Sequence, residues 1–62
     1  MNDFFKNSPL FKEMMQNSKK VSIKDKKVIL YGIADKYPKT LIRNRIEPKR
    51  VKREEKNIIL EF

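Results

Sequence analysis

The chain has 62 residues, 16 basic groups against 8 acidic ones, a formal charge of +8, and neither cysteine nor histidine. A length of 62 residues allows one small domain spanning residues 1–62, with a core that contributes only about 3 to 5 kcal/mol of net stability unless self-association adds to it, so either an efficient single core or a homo-oligomer is expected. Disulfides, the usual zinc sets and a histidine-activated nucleophile are excluded.

The first predicted element is a helix. Ser8 is placed to cap it and Pro9 takes the first helical position, where its missing N–H costs nothing. Leu10, Phe11, Met14 and Met15 recur at helical spacing, and Lys19 and Lys20 follow the last turn, where positive charge suits the helix dipole. The stripe reads as core packing, with an oligomer or partner contact as the alternative, because methionine-rich faces adapt to partners. Phe4 and Phe5, upstream of the cap, are positioned to fold back onto it.

From Val21 the pattern turns toward β. Residues 26–34, KKVILYGIA, are apolar on both faces and rich in β-branched and aromatic side chains, as a central strand is. The preceding VSI is expected to pair with it through a turn at residues 24–27, although no Asn-Gly signal marks that turn. Gly32, the only glycine, marks a bulge or sharp bend inside the pattern. ADKYPK reads as a turn, with Pro38 barring a central strand there.

Residues 40–46 alternate, Ile42 and Ile46 pointing one way and Arg43 and Arg45 the other, which predicts a further strand broken by Glu47 and Pro48. Residues 49–54 and 57–62 form a final hairpin turning at Glu55 and Lys56. The expected class is therefore α+β: a short N-terminal helix followed by a small antiparallel sheet of four to five strands, or an SH3-like or Sm-like barrel.

An N-terminal helix feeding five short strands, with VILYGI where a glycine-bearing second strand would lie, resembles the layout of Sm-like RNA-binding proteins. The resemblance implies a bent five-stranded sheet and assigns no site residue, since the family's second motif has no counterpart here. A competing parse reads SIKD as a capping box opening a helix over residues 23–36, with KTLIRNRI as a second helix and the C-terminal hairpin as the wing of a winged helix-turn-helix. It requires Val28, Ile29 and Tyr31 to be helical against their preference.

Catalysis has little to stand on. One glycine cannot build a phosphate-cradling loop, and Asp25, Asp35, Glu47, Glu54, Glu55 and Glu61 are scattered rather than paired. The expectation is a non-enzymatic protein without a cofactor.

The charge is the informative feature because it is local. Residues 36–53 hold eight basic groups against the single acid Glu47, a net of +7, while the other 44 residues hold eight against seven. All four arginines lie in that segment, and guanidinium forks suit phosphate. The candidate nucleic-acid-binding residues are Lys36, Tyr37, Lys39, Arg43, Arg45, Lys49, Arg50, Lys52 and Arg53, the arginines and lysines for phosphates and Tyr37 as a surface on which a base can stack. RNA or DNA is the expected partner. The alternative is a small adaptor or inhibitor, of the kind phages and other mobile elements encode, that docks on an acidic protein surface.

The N-terminus has an early aspartate and no basic region before an apolar run, so no signal peptide is expected. No stretch approaches the roughly 18 apolar residues of a membrane span. The lack of cysteine fits a reducing cytoplasm.

Overall fold

Two-residue turns and one capped helix organise most of the chain, of which the computed structural model describes residues 8–62. Ser8 is extended and its Oγ accepts from the Phe11 amide at 3.4 Å, Pro9 opens the helix, and α1 runs over Pro9–Asn17. At its other end the Ser18 hydroxyl donates to the Met14 carbonyl at 2.7 Å. The expected contact of Phe4 and Phe5 with this helix lies outside the described residues.

A hairpin follows, β1 (Val21–Lys24) and β2 (Lys27–Leu30), then α2 (Lys39–Arg45) and a second hairpin, β3 (Arg50–Glu54) and β4 (Asn57–Glu61). The two hairpins join through β2 and β4 into one antiparallel sheet of order β1-β2-β4-β3, an α+β fold whose edges are β1 and β3. In both turns the first residue takes a left-handed backbone, Asp25 at φ 48° and Glu55 at φ 56°. A left-handed residue lets so short a connection reverse the chain, which is why neither hairpin needs an Asn-Gly pair.

Three sequence expectations change. The strand expected over residues 26–34 ends at Leu30. Tyr31 still exchanges backbone bonds with Lys19 and Lys20, but Gly32 then turns at φ 83° and donates its N–H to Asn57 Oδ1 at 3.1 Å.

Residues 40–46, expected as a strand, lie mostly in α2, which starts at Lys39 behind an extended Pro38 and ends with the Ile46 amide bonded to the Ile42 carbonyl at 2.8 Å. The physical reason is an ambiguity of period: Ile42 and Ile46, four apart, share a face in a strand and equally in a helix. The winged-helix parse, for its part, places a helix at KTLIRNRI, as found, and another over residues 23–36, where the chain instead forms most of the first hairpin and the turn after it.

The register gives the sheet two unlike faces. One carries the rows Ile23, Val28, Leu60, Val51 and Val21, Leu30, Ile58, Arg53. Against it pack Phe11 and Met14 of α1, Ile42 and Ile46 at α2, and Ile33, Ala34 and Tyr37 of the connecting segment, forming one buried cluster. The other face carries Lys24, Lys27, Glu61, Arg50 in one row and Ser22, Ile29, Ile59, Lys52 in the next. Among the described residues no helix is long and apolar enough to cross a membrane.

Candidate nucleic-acid interface

The fold keeps the basic segment at the surface but does not spread it on two adjacent strands. Lys36 lies in the turn before α2, Lys39, Arg43 and Arg45 lie on α2, Lys49 lies in the connection, and Arg50, Lys52 and Arg53 lie on β3. All eight are exposed. Because α2 is helical, Arg43 and Arg45 are about 200° apart around its axis and do not share a face, as the strand reading required. Lys39 and Arg43, one turn apart, line up instead, while Arg45 follows Leu41 into a groove of about 260 Å³ that Pro9, Leu10 and Glu13 of α1 complete.

Tyr37 is the clearest departure. The residue is only 6% exposed and belongs to the core cluster. Its hydroxyl donates to Glu13 Oε2 at 2.8 Å and accepts from Asn17 Nδ2 at 2.8 Å, which ties the turn to α1. Burial raises its pKa above the usual 10.0, the Asn17 bond opposes that shift, and the Glu13 carboxylate adds to it. A ring so enclosed offers no face to a base, so Tyr37 is a structural residue.

Two basic residues are partly neutralised by acids that are distant in sequence. Arg53 Nη2 donates to Asp35 Oδ1 at 2.7 Å and its Nε donates to the Glu55 carbonyl at 3.0 Å, so this guanidinium is held in place. Arg50 Nε lies 3.6 Å from Glu61 Oε1, its register partner on β4. Among the described residues Lys36, Lys39, Arg43, Arg45, Lys49 and Lys52 have no ion-pair partner.

The fold also recruits charge from outside the segment. Lys24 and Lys27 share the outward row of Arg50, and Lys20, two outward rows away beside Tyr31, holds its Nζ 5.6 Å from the centre of the Tyr31 ring. The sheet's outward face therefore has Lys20, Lys24, Lys27, Arg50 and Lys52 against Glu54 and Glu61. Sequence proximity alone does not group these lysines with the arginines. The period-two alternation of Lys20, Ser22, Lys24 and of Lys27, Ile29, Tyr31 is the signal that does.

Among the described residues no group of three carboxylates comes together to hold a metal ion. The surface can bind anions by charge and by arginine and lysine hydrogen bonds. Comparison with family models, with curated proteins and with solved structures finds no match, which leaves this chain's own residues to carry the functional reading.

Proposed function

We propose that the protein is a non-enzymatic nucleic-acid-binding module that engages RNA or DNA mainly through its phosphates, in the cytoplasm. The observation that carries this reading is that six basic side chains of residues 36–53, namely Lys36, Lys39, Arg43, Arg45, Lys49 and Lys52, are exposed and have no acidic partner among the described residues. Unpaired surface charge on a folded scaffold is repelled by its own neighbours. It gains favourable interactions from a polyanion that releases condensed counterions on binding. Solubility alone is served as well by mixed charges, without a field of one sign.

The test is a titration of labelled single-stranded and duplex oligonucleotides at two salt concentrations. If four to six phosphates are neutralised, log K falls against log salt with a slope of roughly −3 to −5. Arg43→Ala with Arg45→Ala weakens binding while the circular dichroism spectrum stays that of the parent. Binding that is indifferent to salt, or no binding at low salt, overturns the reading. Retention of a protein partner after nuclease treatment supports the adaptor instead.

A further inference from the structure

We infer that the outward face of the sheet is a stacking platform for single-stranded nucleic acid, with a base lying on Tyr31 and the neighbouring phosphates held by Lys24, Lys27, Arg50 and Lys52. The inference rests on the nucleic-acid reading above and names the form of the ligand and the residue that would distinguish it.

Tyr31 continues β2 by one residue, bonded through its backbone to Lys19 and Lys20, so its side chain alternates away from Leu30 and the core. Among the described aromatic residues, Phe11 and Tyr37 are buried in the cluster and Phe62 packs against it, whereas Tyr31 is half-buried and lies outside it. A group already rests on the ring: the Lys20 ammonium sits 5.6 Å from its centre. A cation at that distance is weakly held at an exposed site, so a base can replace it and leave the lysine free for a phosphate.

The ring has an apolar floor beside it. It is Ile29, half-buried and one outward row from Tyr31; its register partner Ile59 is only 6% exposed and adds no open face. Around that floor stand Lys24 and Lys27 on the first hairpin and Arg50 and Lys52 on the second, with Glu61 and Glu54 the acids among them. From β1 to β3 the platform spans three inter-strand gaps, about 14 Å, enough for a short tract of unpaired nucleotides. A duplex keeps its bases stacked on one another and offers such a face only phosphates. A single strand offers bases as well, and each base has a face that stacks on an aromatic ring whatever its identity.

The experiment compares wild type, Tyr31→Leu, Tyr31→Phe and Tyr31→Trp against an oligo-dT strand and a duplex of equal length at low salt. Tyr31→Leu is expected to weaken the single strand by about tenfold or more and to leave the duplex unchanged, while Tyr31→Phe binds both as wild type does. The chain has no tryptophan of its own. The emission of Tyr31→Trp therefore reports on this position alone, and its quenching by oligo-dT supports stacking even if the leucine variant fails to fold. Unchanged single-strand affinity in a folded Tyr31→Leu, an equal loss for strand and duplex, or an unquenched tryptophan at saturation each overturns the platform while leaving phosphate binding intact. A wild type that binds neither ligand overturns both readings together.

Discussion

Arg53 and Asp35 are 18 residues apart in the chain, and in the fold the guanidinium donates to the carboxylate at 2.7 Å. The contact joins the end of β3 to the segment before α2, close to where the Ala34 amide bonds to the Lys56 carbonyl at 2.9 Å. Both side chains are substantially exposed, 47% for Arg53 and 64% for Asp35. Exposed pairs contribute at most about 1 kcal/mol, so the bond matters more for what it does to the charge of the basic surface than for stability.

The first prediction follows. Asp35→Asn removes a negative charge beside the basic segment and frees Arg53, so it should tighten oligonucleotide binding by a few-fold at low salt, an advantage that shrinks as salt rises. Arg53→Ala should cost little affinity, because its charge is already matched. Lys52→Ala, which removes an unpaired charge, should weaken binding and reduce the salt slope by about one. Parallel salt titrations of the three variants check the ordering. Equal losses for Arg53→Ala and Lys52→Ala would show that the ion pair does not form in solution.

Tyr37 gives a pH signature. Its folded pKa lies above 10.0 because burial disfavours the phenolate. Above pH 10 the unfolded chain releases this proton and the folded protein keeps it, so the folded state binds more protons and stability falls as pH rises. Below pH 10 both states are protonated and the group contributes no slope. Tyr37→Phe should lose about 1 kcal/mol at neutral pH, from the bonds to Glu13 and Asn17, and should also lose the part of the alkaline slope that belongs to this residue. Urea unfolding of both proteins at pH 8 and above pH 10 separates that part from lysine deprotonation, which the two share.

Backbone strain offers a pair of opposite outcomes. Gly32 sits at φ 83°, and a Cβ there would lie 3.3 Å from the Lys19 stem. Gly32→Ala should therefore destabilise by about 1 kcal/mol or more, since the left-handed penalty exceeds the entropy gained by stiffening the unfolded chain. Glu55 occupies the same half of the backbone map, at φ 56°, and its carboxylate makes no ion pair among the described residues. Glu55→Gly should raise stability by about 0.5 kcal/mol, the relief of strain less the added chain entropy. Thermal or urea midpoints read both, and the same sign for the two substitutions would contradict the turn geometry.

Much of this fold was legible in the sequence where a residue has one strong local preference. Ser8 with Pro9 announced α1, and the turn at Glu55 and Lys56 was placed between the strands it joins. Ile42 and Ile46 failed to announce α2 because a spacing of four satisfies both periods, and over seven residues nothing else arbitrates. The candidate surface was legible as a charge excess but not as a shape. Asp35 and Glu61 enter it only through tertiary contacts, Tyr37 leaves it because its hydroxyl finds Glu13 and Asn17, and Lys24 and Lys27 join it only once β2 pairs with β4.

Lys39 sets stability against binding at one position. It is the first residue of α2, a helix with no acidic residue in its first turn and no side-chain cap from Pro38. A cation there opposes the helix dipole, where an acid would stabilise by about 0.3 to 1 kcal/mol. A surface shaped only for stability would place a glutamate at this position, while a surface for polyanions has reason to keep the lysine. Lys39→Glu should therefore raise the unfolding free energy by about 0.5 kcal/mol and lower oligonucleotide affinity several-fold at low salt. Lys39→Gln should fall between the two on both scales. Urea unfolding and salt titration on the same preparations measure the trade. If Lys39→Glu gains stability and binds as tightly as wild type, the face that Lys39 shares with Arg43 lies off the interface and the phosphate contacts concentrate on Lys49 and the sheet.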